Sequence, residues 1–585
     1  MKKTLHSLLT IVLIFYFGIA AAVSTPLDSI YHALKSSLPA YDNIAYARPS
    51  VNTLDNDGTW IIQTPNAWGT SLSRYNSAIS TAAAKESIDP VFYLPTCHHS
   101  TDCSGGRQCV QPDFSHPAFP KLQLCLGPES MFQTKAYQAI VSAQRTVDIT
   151  TLQPSSISQS AFSTGAFTPT LKNALIELAV KANNNKQPIT VRLLQGGVLP
   201  ITTEAKNHSA LKSQSFLNPE KTFLKDIVNS PLFPTHTPYF NLYVATERSC
   251  YLLTGKCDGN SDQDSAVFRV SWNHGKIIDI DHTHIITGGQ NLWGSDYLQT
   301  NPVNDLNMAI TGPVTQGADT YINTMWNYVI HHQHSQINSN ICASFHNGML
   351  TDDCPMASSR HAAPPNAWVS NNRYPVEAMF VSKLNNGILP RDADASELAR
   401  VVAFKNAKSS IKISQQALYF KLAPIGTPAL HPIPTVEGNI IDALATAISH
   451  NVTVDIVTSN LNGLGFSYTS EVSSSFLEQA ITTSLEKNVP AFHDPTQAKA
   501  QIKKYLTIKT IRYNKNDPDG KKTLSHDKLW IVDDKLFYIG SHNLYPSALQ
   551  QFGVIIEDDH LLAINQLEDR LWNPLWENSA TFTPN

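Results

Sequence analysis

Two similar α/β halves of one chain, each a mixed β-sheet flanked by helices and related by a pseudo-two-fold axis, are the architecture this sequence predicts. Three observations carry the prediction. A motif begins at His274 and again at His526 with identical spacing: His-x-Lys, four residues, Asp, six residues, then Gly288-Gly289-Gln290-Asn291 or Gly540-Ser541-His542-Asn543. Each motif reads as two β-branched-rich apolar runs joined by a turn, as in Ile277-Ile278-Asp279-Ile280 before Asp281 and Leu529-Trp530-Ile531-Val532 before Asp533. Upstream of each lies the same order of strand, apolar-periodic helix and strand, the pattern of an α/β unit.

Taken in order, residues 1–24 combine Lys2-Lys3, an uncharged run from Leu8 to Ala22 and the small residues Ala20-Ala21-Ala22. That is the form of a cleaved secretory signal peptide, and the run is too short to favour a membrane span. The first half is expected over 25–354. Its strands are read at Val147–Gln153 and Ile189–Leu194, with a helix near 168–184 between them. A Pro/Ser/Asn-rich linker is expected at 355–375. The second half, 376–585, repeats the plan with strands at Ile411–Gln416 and Val452–Thr458 around a helix near 437–450. The eight cysteines are even in number, and an exported protein oxidises them. Cys250 and Cys257 bracket one short loop and Cys342 and Cys354 another, which predicts two disulfides. Cys97, Cys103, Cys109 and Cys125 fall in a cysteine-rich insert near 90–127. Pairing among themselves is the favoured reading there, and a zinc site using His98 or His99 is the rival.

The residue types of the motif suit attack on a phosphodiester. The substrate is anionic, so a neutral imidazole makes a better nucleophile than a carboxylate. A second histidine protonates the leaving oxygen. Lys276, Lys528, Asn291 and Asn543 supply donors where charge builds on the phosphoryl oxygens. In a strand, residues i and i+2 share a face, so each His–Lys pair is directed to one side. Gly288, Gly289, Gly540 and Ser541 end the second strand of each motif, where a small residue lets backbone approach a phosphate. Asp281 and Asp533 stand at strand–turn junctions and read as structural turn residues, with direct catalysis as the alternative.

The paired motif resembles that of the phospholipase D superfamily. Ser271-Trp272-Asn273-His274, Asn291-Leu292-Trp293, Pro302-Val303-Asn304-Asp305, Ile413-Ser414-Gln415-Gln416 and Tyr538 to Pro546 are similar to the secreted phospholipases D of actinomycetes, from about residue 27 to the carboxy terminus. The resemblance implies hydrolysis of phosphatidylcholine-like lipids to phosphatidic acid, head-group exchange with alcohols, a phosphohistidine intermediate and no cofactor or metal. By position, His274 is then the nucleophile and His526 the general acid. An acidic residue behind each histidine orients its ring in that family. Asp305 matches one such position, but Gln551 stands where the other acid belongs. Glu557, on the next apparent strand, is the candidate replacement, or else a surface acid at a strand end.

The formal net charge of −4 argues against the basic face that a nonspecific nuclease presents to nucleic acid. Segment Leu418 to Pro434 is apolar and proline-rich, which disfavours a helix. It reads as a loop, either a lipid-facing lid or a packed crossover. The sequence therefore points to a secreted, monomeric phospholipase D acting at a membrane or micelle surface. A nuclease or other phosphodiesterase of the superfamily, and a catalytically silent lipid-binding protein, are the alternatives.

Overall fold

The computed structural model describes residues 25–49, 51–64, 108–110, 124–126, 131–154, 162–163, 167–197, 219–234, 237–249, 271–297, 303–332, 341–354, 372–422, 433–436, 438–459, 474–516 and 524–581. The first half contributes strands β1 (Thr146–Leu152), β2 (Ile189–Gly196), β3 (Phe240–Glu247), β4 (Ile277–Ile280), β5 (His284–Gly288) and β6 (Asp305–Thr311). A long strand β7 (Arg373–Leu384) follows. The second half then adds β8 (Ser410–Gln415), β9 (Thr453–Thr458), β10 (Leu506–Thr510), β11 (Lys528–Val532), β12 (Leu536–Gly540) and β13 (Gln551–Glu557).

The pairing repeats strand for strand. β1 lies parallel to β2 and β2 parallel to β3, while β1 pairs antiparallel with β4, β4 with β5 and β5 with β6. In the second half β8, β9 and β10 are the parallel set, and the antiparallel series runs β8, β11, β12, β13. Helices Phe167–Asn185 and Gly438–Ser449 connect the first two parallel strands of each half. The strands are nearly all buried, which is why they read as continuous apolar runs rather than alternating ones.

β7 joins the halves. Residues Glu377–Lys383 pair with β13, and Arg373–Val376 pair with the short strand Asn52–Asp55 beside β6. Residues 373–375, expected to be linker, are thus already sheet, since Tyr374 and Val376 are buried. The helix Pro26–Ser37 packs on the second half through Leu27, Ile30 and Leu34, so the amino-terminal segment closes onto the carboxy-terminal core. Cys342 and Cys354 form a disulfide. A short ribbon sets Cys109 opposite Cys125, whereas Cys97, Cys103, Cys250, Cys257 and residues 1–24 lie outside the described residues. The expected loop after Leu418 differs from expectation: Tyr419–Leu422 pairs antiparallel with Ile433–Val436, as its aromatic and β-branched residues favour. No helix among the described residues is long and apolar enough to cross a membrane.

Asp281 and Asp533 occupy equivalent turns with φ of 53° and 55°. Left-handed backbone is tolerated by Asp better than by most residues. The Asp281 carboxylate accepts the N–H groups of Gln144, Arg145 and Thr146. That of Asp533 accepts those of Lys408, Ser409 and Ser410. Each Asp therefore ties a motif turn to the entry of β1 or β8. Asp281→Ala strands buried donors and should cost about 2–3 kcal/mol in urea unfolding, with Asp281→Asn milder.

Candidate active site

The two motifs meet between the halves. His274-Gly275-Lys276 leads directly into β4, and His526-Asp527 leads into β11, whose first residue is Lys528. Each histidine is fixed by backbone from the opposite half. The His274 N–H donates to the Gln550 carbonyl at 2.8 Å, and the Gln550 N–H to Trp272 O at 3.0 Å. Reciprocally, the His526 N–H donates to Asn304 O at 2.6 Å, and the Asn304 N–H to Leu524 O at 2.8 Å.

The same crossing places the side chains. Asp305 begins β6 and Gln551 begins β13, each directly after the residue that receives the opposite histidine. Asp305 Oδ2 lies 2.7 Å from His526 Nδ1, and Gln551 Oε1 lies 2.9 Å from His274 Nδ1. The Tyr297 hydroxyl supports Asp305 at 2.7 Å, and the Ser541 hydroxyl supports Gln551 at 2.7 Å. Glu557 does not supply the missing acid. It stands six residues further along β13, about 20 Å away, where its carboxylate takes the Leu27 N–H and pairs with Lys535. Glu557, expected on a separate strand, ends the strand that Gln551 begins, and distance along that strand removes it from the site.

Lys276 and Lys528 are buried, and each ammonium donates to the carbonyl of its own motif histidine. Burial and then mutual repulsion hold Lys276 well below the usual lysine range. Burial brings Lys528 down to about 8 against the pull of Asp305 and Asp527. His274 and His526 are both driven well below the usual imidazole range, first by burial and then by the two lysines. Burial raises Asp305 to about 6 while Lys528 opposes it. The Asn291 side-chain amide, both atoms, and Asn543 Oδ1 are buried without a protein hydrogen-bond partner. The arrangement thus collects two imidazoles, two lysine side chains and open amide positions in one largely buried place, which suits binding and cleaving an anionic diester.

The glycines have a different task from the one expected. A Cβ at Gly288 would lie 2.2 Å from Leu306 O, and one at Gly289 would lie 2.1 Å from Asp305 Oδ1. Gly289 makes room for the carboxylate behind His526. Gly540 is crowded by Gly553 and Tyr538 of its own sheet. Ser541, at the position of Gly289, is the hydroxyl that serves Gln551.

Sequence reasoning passed over Tyr297, Asp527 and Asn304. Asp527 is buried and raised to about 7 by burial first and Asp305 second, with Ser414 and Asn304 donating to it. Its place between His526 and Lys528 was visible, but its burial was not. Among the described residues, Asp148, Asp279 and His282 also cluster, but Arg192 already forms a two-pronged pair with Asp148 there.

A family model described as the PLD-like domain of cardiolipin synthase matches residues 401–573. Phospholipase D of Streptomyces antibioticus is 25% identical over 624 aligned positions, covering 97% of this chain and 90% of that protein. Among solved structures, the chain is similar to phosphatidylserine synthase of Haemophilus influenzae, at 14% identity and a TM-score of 0.44 over 78% of this chain and 86% of that one. It is also similar to Nuc of Salmonella typhimurium, a phospholipase D family member, at 21% identity and a TM-score of 0.22 over 36% of this chain and 100% of that one. The protein is a phosphodiesterase. It belongs to the phospholipase D superfamily.

Two outcomes follow for this site. Glu557→Gln should keep turnover of a small phosphodiester within about twofold of wild type while lowering thermal stability, because it loses an ion pair and not a catalytic contact. The alkaline limb of kcat/KM, which reports the free enzyme, should fall as pH rises through about 8, because Lys528 is cationic only below its pKa.

Proposed function

We propose that the protein is an exported phospholipase D that converts phosphatidylcholine-like lipids to phosphatidic acid at a membrane or micelle surface, and transfers the phosphatidyl group to alcohols when they are present. The observation that carries the reading is the crossed support of two histidines by opposite halves. It gives one site with a nucleophile and an acid on opposing walls.

His274 holds its proton on Nδ1, facing Gln551 Oε1, so the lone pair is on Nε2. That lone pair forms the N–P bond as the P–O bond to the head group breaks. The leaving oxygen takes the pair and receives a proton from His526, whose imidazolium is supported by Asp305. Water or an alcohol then gives a proton to the neutral His526 and forms a new P–O bond as the N–P bond breaks. Lys276, Lys528, Asn291 and Asn543 hold the phosphoryl oxygens. No metal or cofactor enters these steps. The phospholipid substrate is supported by the 25% identical relative named phospholipase D and by the acidic net charge, which disfavours nucleic acid as substrate. The uncharged run and small residues ahead of residue 25 support export, and the protein is read as a monomer without nucleic-acid partners.

Purified protein on phosphatidylcholine vesicles should release choline and phosphatidic acid, and should form phosphatidylethanol when ethanol is added. Cleavage of DNA or RNA with no action on vesicles would replace this reading by the nuclease one. His274→Ala and His526→Ala should each lose on the order of 10³-fold or more in turnover, because the pair acts as a unit. With a p-nitrophenyl phosphodiester, whose leaving group needs little acid help, the His526→Ala protein should accumulate phosphohistidine at residue 274. The His274→Ala protein should form none. An adduct mapped to residue 526 would exchange the two roles.

A further inference from the structure

We propose that Gln551 is a positioning residue that fixes the reactive tautomer of His274 without lending it negative charge, so that the nucleophile stays available at acidic pH and its phosphorylated form is passed on rather than stored. The inference rests on the reading of His274 as nucleophile. Its ground is a difference between two sites that the fold makes equivalent. β6 and β13 each begin with the residue facing the opposite histidine, and the contacts are alike in length: 2.7 Å from Asp305 to His526 and 2.9 Å from Gln551 to His274. Each acceptor is steadied by a hydroxyl, Tyr297 in one case and Ser541 in the other. Only the charge differs.

The Ser541 contacts fix how the amide lies. Its oxygen accepts the Phe552 N–H at 3.1 Å, and its hydroxyl donates to Gln551 Oε1. The same Oε1 faces His274 Nδ1, so that nitrogen is the donor. A carboxylate there would enforce the same tautomer but would also favour the imidazolium. The other groups around His274 are cationic or neutral. Lys276, Lys528 and His526 face it from the two motifs, and His542 from the loop after β12. Asp305 is engaged with His526. Nothing described on any packed element offers His274 a negative partner, and burial and the two lysines push its titration down.

Two consequences follow. A free imidazole is required for attack, so an enzyme with Gln at this position keeps its nucleophile to lower pH than one with an acid. Once the N–P bond forms, the ring carries a positive charge with its proton on Nδ1. An amide stabilises that cation less than a carboxylate does, so transfer to water or alcohol is favoured over accumulation.

The test compares wild type, the isosteric Gln551→Glu and the non-accepting Gln551→Leu on p-nitrophenyl phosphocholine. Gln551→Glu should move the acid limb of kcat/KM upward by about one to three pH units, the range a close carboxylate commands. It should also raise the steady-state level of acid-quenched phosphohistidine. Gln551→Leu should lose on the order of 10- to 100-fold, as orienting partners do elsewhere, with its acid limb unmoved. In parallel, nitrogen-15 NMR of the histidine rings reads the tautomer and titration of His274 without any turnover. Wild type should show Nδ1–H, and Gln551→Glu should titrate at higher pH. Coincident acid limbs together with coincident titrations in wild type and Gln551→Glu would overturn the proposal, as would an Nε2–H tautomer in wild type. If no variant cleaves any phosphodiester, the functional reading fails while the NMR still decides the role of Gln551. Should Gln551→Leu fail to fold, Gln551→Glu alone decides.

Discussion

Each motif histidine is anchored, through its own N–H, to a carbonyl in the half of the chain it does not belong to. His274 is bound to Gln550, and His526 to Asn304. The following residue, Gln551 or Asp305, then presents its side chain to the ring just placed. Backbone registration and ring orientation are therefore one event. A shift of one residue at this seam would turn both the histidine and its partner to the wrong face. The rest of the structure serves that registration. β7 holds the halves edge to edge, the helix Pro26–Ser37 packs the outside of the second half, and Asp281 and Asp533 pin the turns from which the motif strands run.

The charge distribution depends on the same seam. Bringing the halves together sets Lys276 against Lys528 in a buried place, which is unfavourable until an anion arrives. Asp305 offsets part of this repulsion for both lysines, and Asp527 adds to it for Lys528. Burial first and the two lysines second disfavour the charged form of both imidazoles, and paired cations suit an anionic ligand. Asp305, Lys528 and Gln551 lie in buried strands, and the other site residues sit in the short segments that flank them.

Much of this was legible before any coordinates. The strands and helices of both halves lie within a few residues of where apolar runs put them, because buried parallel strands leave a continuous hydrophobic signature. The motif residues were evident from repetition alone. What stayed hidden was the crossing. A histidine and its partner are separated by more than two hundred residues in each case, and the interval from motif to partner differs between the halves, so spacing could not transfer the assignment. Glu557 was attractive as an acid read on the next strand, whereas it closes the strand that Gln551 opens, and a sequence does not reveal which end of a strand reaches the site. The role of Gly289 was equally invisible, since the atom it accommodates belongs to Asp305 on the neighbouring strand. The ribbon formed after Leu418 escaped notice because prolines obscured two short runs that are individually weak.

β13 is the last long strand of the protein, and it carries Gln551. The first motif is thus complete in sequence long before its histidine has anything to orient it. A nascent chain of five hundred residues holds His274, Lys276 and Asn291, and it holds neither the surface that aligns them nor the acid that would assist them. Activity arrives only with the final stretch of synthesis, all at once. The order of the chain itself therefore delays assembly of the site: a fragment ending before β13 lacks the residue that faces His274.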